Sequence, residues 1–357
     1  MASDFPNLTR VKHLKLTRFV TRSFEKLGVP SSDAEIAAGV LVAADLRGVD
    51  THGVIRFNPQ AWYVKWLTEA SMTPRPKIQI ISESSSTALL DGDRGMGMVI
   101  GHRAMEIAIR KAKESGIGMV AVRNSRHYGM SAYYAMLALP HDMIGIAMTN
   151  ASRQVVPTFG REARFGTNPM CFAVPAEKEL PFVLDMATTT AAAGKLELAA
   201  RQGKSIPAGW ALNEQAEATL DPRMAQKARR LLPLGGSREG GNHKGYGLAI
   251  VVEILCGVLT GTMTALNADQ DPRGHFFGAI RVDTFRPVDE FKRDMDRLIR
   301  ELKSTPPIEG QERVYVAGEI EFETAEERAE RGIPLLPSVL KGLREVAEQL
   351  SVPYDLE

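Results

Sequence analysis

Gly118-Met119-Val120-Ala121-Val122 and, one residue on, Asn124-Ser125-Arg126-His127-Tyr128-Gly129-Met130 decide how this chain reads. The first five residues form a short apolar run with β-branched valines, which predicts a buried strand. Asn124 and Ser125 can bond their own backbone and stop that strand, and Gly129 lets the chain turn. The Ala- and Met-rich segment from Ser131 to Leu139 then starts a helix, with Ser131 near its cap. Strand, polar loop and helix in that order predict an α/β protein with His127 on a loop fixed between two rigid elements. Such loops are where α/β proteins carry chemistry. An imidazole titrates near neutrality and suits proton transfer; the structural alternative is a ring bonded to a turn carbonyl.

Working outward, the first 75 residues read as helical. Val11, Leu14, Leu16, Phe19, Val20 and Phe24 recur at helical spacing. Ser31-Ser32-Asp33 followed by Glu35 is read as the cap of the next helix. That helix runs into Asp45-Leu46-Arg47-Gly48-Val49-Asp50-Thr51-His52-Gly53-Val54-Ile55-Arg56. After Pro74-Arg75-Pro76, strands are predicted at Ile78–Ile81, Ser86–Asp91, Ile144–Asn150, Cys171–Pro175, Phe182–Asp185, Phe276–Val282 and Val314–Val316. Helices are predicted at Gly101–Ser115, Gly245–Leu259, Pro287–Leu302 and Leu335–Leu350. Residues 1–75 are read as an N-terminal helical domain joined by the closing helices at 335–357, since neither segment is long enough to build its own core. Residues 76–334 are read as a mixed α/β domain.

The chain has 357 residues, 44% hydrophobic and 24% charged, which is ordinary for a globular protein. A formal net charge of +1 gives no global field to attract nucleic acid or an anionic membrane. The two cysteines, Cys171 and Cys256, lie in apolar contexts and read as buried free thiols. The N-terminal Met1-Ala2-Ser3-Asp4-Phe5 lacks the basic and apolar pattern of a leader, and no apolar run is long enough to span a bilayer. A cytoplasmic protein is expected. No His, Cys and Asp spacing suggests a metal.

Five further stretches invite a functional reading. Gly95-Met96-Gly97-Met98-Val99-Ile100-Gly101 invites a dinucleotide-loop reading, but its spacing is GxGxxxG and the expected acidic residue is missing after Val122. It reads as a turn joining strand to helix. Thr51, His52 and Arg56 offer a hydroxyl, an imidazole and a guanidinium, and the planar Arg fork suits a carboxylate; a helix end pairing Arg56 with a surface acid is the alternative. Asp185-Met186-Ala187-Thr188-Thr189-Thr190 follows a strand and suits phosphate or ribose contacts, or else a helix cap. The glycine-dense run Gly235–Gly241 leads to His243-Lys244 at the mouth of an apolar helix, which fits phosphate binding or a surface loop. Gly166-Thr167-Asn168-Pro169 is a tight turn whose amides could face an anion.

Taken in order, these stretches resemble the malate/L-lactate dehydrogenase family, the non-Rossmann group that includes sulfolactate, ureidoglycolate and diketogulonate dehydrogenases. The resemblance rests on Arg47–Gly53, Asn124–Gly129, Gly166–Pro169, Asp185–Thr188, His243–Ala249 and Gly274–Phe277, in sequence order over nearly the whole chain. It implies a sulfolactate dehydrogenase-like α/β fold with a non-Rossmann mixed sheet that binds NAD or NADP, and a homodimer. It implies that His127 is the catalytic acid–base, with His52 and Arg56 in the substrate site. Thr51 stands where the family usually has Ser, and Asn150 and Ser152 lie near a substrate-binding position. Asp185, Met186, Ala187 and Lys244 match cofactor contacts, as do Gly318 and Glu319, although Val316-Ala317-Gly318-Glu319 replaces the family's Val-Pro-Gly-Glu. Asn242 precedes the His-Lys pair where Gly is usual.

The reaction so implied is hydride transfer between a nicotinamide and C2 of a small 2-hydroxy or 2-keto acid, malate- or lactate-like. Reduction of a cyclic imino acid and dinucleotide binding without turnover are the alternatives; retention of both His52 and His127 weighs against the latter. Phe57, Trp62, Trp66 and Leu67 beside the substrate cluster are read as an interface or pocket wall, the alternative being packing against the closing helix.

Overall fold

The computed structural model describes residues 8–60, 62–262 and 273–356. Met1–Phe5, read above as lacking a leader, lies outside the described residues. The chain begins with β1 (Thr9–Val11), α1 (His13–Lys26) and α2 (Ser31–Leu46), then a short β2 (Phe57–Asn58) and α3 (Trp62–Thr68). β3 (Gln79–Glu83), β4 (Thr87–Asp91), α4 (Gly97–Ser115), β5 (Ile117–Ser125), α5 (Ser131–Met136), β6 (Met143–Thr149), β7 (Met170–Val174) and β8 (Phe182–Met186) follow. A lobe of α6 (Ala193–Arg201), β9 (Ala211–Leu212), α7 (Pro222–Ala228), β10 (Arg230–Leu231) and α8 (Asn242–Glu253) leads into β11 (Arg273–Arg281). The chain ends with α9 (Val288–Lys303), α10 (Glu319–Arg331), β12 (Ile333–Leu335) and α11 (Pro337–Leu350).

The central sheet has seven strands in the order β3-β4-β5-β11-β6-β7-β8. Only β4 and β5 run parallel, joined by the α4 crossover; every other neighbour is antiparallel. The strand that arrives last thus lies in the middle. Phe277 pairs with Val120 on one side and with Ala147 on the other. This insertion brings the ends of β5 and β6 to either side of the start of β11, and the site is built there.

α4 and α5 cover one face of the sheet, and the helical layer lies beyond them in a continuous core that includes Leu16, Phe19, Phe24, Leu41, Tyr128, Tyr134 and Phe277. α1 buries Leu16, Phe19, Val20 and Phe24 at three- and four-residue spacing. Leu14, read as part of that face, is 68% exposed, and Val11 belongs to β1. Ser31-Ser32-Asp33 is not a capping box: the helix starts after Pro30, and Ser31 Oγ donates to Glu25 instead. The chain ends close on one another, with Thr9 opposite Leu335 and Val11 opposite Ile333. α10 packs on α2, and α11 packs on both α1 and β2.

Phe57 is fully buried, edge-on to Phe24 at 4.7 Å, and Leu67 is buried too. Neither can form a subunit surface, so that part of the interface reading is corrected. The predicted strand Val314–Val316 is irregular chain. Among the described residues, no helix is long and apolar enough to cross a membrane.

Candidate active site

β5 ends at Ser125 and delivers the His127 loop onto the first turn of α4. Gly97 makes this approach possible, because a Cβ there would lie 2.1 Å from Arg126 O and 2.7 Å from His127 O. The glycine run dismissed as a phosphate loop is therefore a packing device. The loop is pinned on its other side by His275, fully buried two residues into β11. Its Nδ1 lies 2.7 Å from Thr149 Oγ1 and its Nε2 2.8 Å from Ser125 Oγ, and its ring stacks on Tyr128 at 4.7 Å. Burial pushes the His275 pKa down to about 3, so the ring is a neutral clamp across β5, β11 and β6.

The second cluster follows α2. Asp45 is buried and accepts the Val54 N–H at 2.8 Å, folding the Asp50–Arg56 segment back on the helix end. Burial holds its carboxyl well above the usual range. Within the fold-back, Thr51 Oγ1 lies 2.9 Å from His52 Nδ1, and Arg56 Nε donates to Thr51 O at 2.7 Å.

The two clusters meet. The rings of His52 and His127 stack with centroids 5.7 Å apart and 21° between planes. Trp62 stands edge-on to His127 at 4.7 Å, and the Arg56 guanidinium lies 4.5 Å from the Trp62 ring centre. Tyr63 Oη is 2.6 Å from His127 Nδ1, which also accepts the Gly129 N–H at 3.2 Å. Burial, reinforced by Arg56, lowers the His52 pKa to about 4. Burial also drives His127 well below its ordinary value, with His52, Arg273, Arg56 and His275 adding to the effect. His52, Arg56 and His127 are half-buried, and the protein packed around them disfavours charge on the rings; cations beside neutral imidazoles form a site that favours an anion and holds protons loosely. Tyr63 and Arg273 were missed in the sequence. No local pattern marks a partner 64 residues from His127, and Arg273 directly precedes the Gly274–Phe277 motif without being part of it.

The cofactor candidates lie along β8 and its neighbours. Asp185 accepts the Ala132 N–H at 2.7 Å at the start of α5. The residue is open to solvent, yet enough protein rings its carboxyl that burial raises the pKa to about 6. Met186 and Ala187 are half-buried beside it. Gly318 packs on Val183, whose N–H donates to Ala317 O at 3.0 Å, so residues 317–319 lie against the same strand. Glu319 is buried and already engaged, by Lys303 Nζ at 2.9 Å and by the Val316 N–H. Lys244 is exposed in the first turn of α8, which packs through Leu234 on Thr188. Asn150 is fully buried. Its Nδ2 donates to Thr262 O at 3.0 Å and its Oδ1 accepts the Gly274 N–H at 3.0 Å, so its amide ties β6 to β11. Ser152 is half-buried with no side-chain hydrogen bond among the described residues. In the Gly166–Pro169 turn, Asn168 Oδ1 accepts the Ala151 N–H and its Nδ2 donates to Ala249 O, which is a structural clasp. Among the described residues, no three His, Cys, Asp or Glu side chains group to hold a metal.

The comparisons agree with this architecture. The family model for malate/L-lactate dehydrogenase matches residues 11–344. A malate dehydrogenase of Pyrococcus horikoshii is 45% identical over 352 residues, covering 97% of each chain. An L-sulfolactate dehydrogenase of Methanocaldococcus jannaschii is 40% identical, covering 92% of this chain and 93% of its own. The crystal structure of malate dehydrogenase from Entamoeba histolytica superposes with a TM-score of 0.93 at 36% identity, over 98% of this chain and 99% of that one. The chain belongs to the malate/L-lactate dehydrogenase family, the pyridine-nucleotide-dependent oxidoreductases of 2-hydroxy acids.

Proposed function

We propose that the chain catalyses reversible hydride transfer between NAD and C2 of a small, malate-like 2-hydroxy acid. The observation that carries this reading is the meeting of His127, His52 and Arg56 in one half-buried nest. Arg56 holds the substrate carboxylate with its two terminal nitrogens, converting an encounter into an oriented complex. His127 takes the C2 hydroxyl proton on oxidation and returns it on reduction. His52, oriented by Thr51, bonds the C2 oxygen and supports the developing charge. Asn150, whose amide ties β6 to β11, and Ser152 complete the substrate side in this reading.

The cofactor-side residues fit a dinucleotide. Asp185 is an accessible carboxylate suited to hydroxyl groups, and Lys244 is an exposed cation on an open helix start. Met186, Ala187, Gly318 and the Glu319 turn complete that wall. When bound, the nicotinamide supplies the hydride acceptor or donor.

The active form is a symmetric homodimer. Leu248, Val251, Ile254, Val258 and Leu259 line the α8 helix and its π-turn extension, all at least 36% exposed, and this uncovered apolar stripe supports the reading. Two buried, unpaired cysteines suit the cytoplasm. The test is NADH or NADPH oxidation with oxaloacetate, pyruvate, sulfopyruvate and a cyclic imine in parallel. Turnover of the 2-keto acids with NADH is expected; turnover of the imine alone would overturn the reading.

A further inference from the structure

Tyr63 is fully buried, and its Oη has no hydrogen-bond partner other than His127 Nδ1 among the described residues. The Gly129 N–H points at the same nitrogen. These two partners differ in kind. A backbone N–H only donates, so it suits a bare Nδ1. A phenol donates or accepts, so Tyr63 can also receive a proton-bearing Nδ1. A histidine that carries a transferred proton has N–H groups on both nitrogens. Without Tyr63, the Nδ1–H of that form would face the Gly129 backbone N–H in a half-buried site.

The backbone just before Tyr63 is strained to this end. Trp62 has φ 55, a region that a bulky side chain seldom enters and that persists only where packing enforces it. Its ring is held between His127 and the Arg56 guanidinium. Tyr63 follows directly, so the same turn aims the phenol at the imidazole.

We infer that Tyr63 is the positioning residue of the proton relay, its Oη accepting the Nδ1–H of His127 while Nε2 takes the substrate proton. In that step the substrate O–H bond breaks and an Nε2–H bond forms, while the hydride leaves C2 for the nicotinamide. Nε2 is bare before the transfer only when the ring's one proton sits on Nδ1, so Tyr63 accepts from Nδ1–H before and after the step and keeps its own proton throughout. The inference rests on His127 being the acid–base. The other groups facing this ring are His52 and Arg56 from the fold-back and Arg273 and His275 from β11, and all of them oppose added positive charge. Tyr63 from α3 is the neutral acceptor among them.

The test is Tyr63→Phe in the full-length protein, which removes one oxygen and keeps the ring. Two readouts are followed: the pH profile of kcat/KM for 2-keto acid reduction, and the 15N NMR titration of His127, assigned with His127→Asn. Tyr63→Phe should move the His127 midpoint down by about one pH unit or more, about tenfold in its protonation equilibrium, and lock the neutral ring as the Nε2–H tautomer. Incorporating 3,5-difluorotyrosine at position 63 keeps the shape with a weaker acceptor and should shift the midpoint the same way, by less. It carries the test alone if Tyr63→Phe does not fold. A wild-type midpoint and wild-type tautomer balance in the folded variant would overturn the inference. If His127→Asn itself turned over normally, the acid–base reading would fail, and the NMR titration would still decide whether Tyr63 controls the ring.

Discussion

Replacing Arg56 with Lys keeps the charge and removes the fork. Arg56 Nε is committed to Thr51 O at 2.7 Å, and the guanidinium plane lies against Trp62. That leaves two terminal nitrogens to grip a carboxylate side by side. One lysine nitrogen cannot hold the Thr51 carbonyl and a paired carboxylate together. A single hydrogen bond involving a charged group contributes about 1.5–3 kcal/mol. At about 1.4 kcal/mol per tenfold, losing one such bond lowers kcat/KM for the 2-keto acid by about 10- to 150-fold. The enclosed position of Arg56, whose own pKa is lowered chiefly by burial, favours the upper end. Initial rates of NADH oxidation against acid concentration measure the loss, and a thermal unfolding curve checks the fold. Wild-type kcat/KM in a folded Arg56→Lys protein would refute the carboxylate role and leave Arg56 as the staple of the Thr51 loop.

His127→Asn should reduce turnover by about 10²–10⁴-fold, the usual worth of a general acid–base, while NADH fluorescence titration shows nearly unchanged cofactor affinity. Lys244→Ala should weaken NADH binding and spare the KM of the acid; equal NADH affinity in the two proteins would remove Lys244 from the cofactor wall. Asp185 has a folded-state pKa near 6, above the ordinary 3.8, because of burial. Its protonated form therefore stabilises the fold below 3.8, and that contribution is lost as pH rises through about 6. Asp185→Asn cannot ionise, so its thermal midpoint should gain on the wild type across that window and keep the gain above it; parallel melting curves that never diverge would contradict this.

Local order was legible because it depends on neighbours in the chain. The apolar run at 118–122 and Gly129 specified strand, loop and helix, but Asn124 and Ser125, read as stopping the strand, are its last two residues, and their side chains bond Asp91 and His275. The periodicity of α1 and α9 and the apolar continuity of α8 specified helices, each within a few residues of its observed bounds. Leu14 shows the limit of this reading, since an apolar residue on a helix is core only if another element arrives to cover it. His52, Arg56 and His127 were legible as polar groups in apolar frames, and the order of six short motifs pointed to the family.

Tertiary structure decided everything that needs distant partners. Nothing near residue 273 announces that β11 enters the sheet between β5 and β6, because antiparallel pairing is settled by which buried faces match and not by order of synthesis. Nothing in Gly95–Gly101 tells a phosphate loop from a glycine that admits the Arg126 and His127 carbonyls. Asn150 looked like a ligand residue, and its amide is bound to the Gly274 N–H and the Thr262 carbonyl. The contact between Tyr63 and His127 joins residues 64 apart in the chain, and neither stretch announces the other. Side-chain chemistry is written residue by residue, whereas proximity comes from the burial of surfaces far apart in the chain, and in this protein the site is made of proximity.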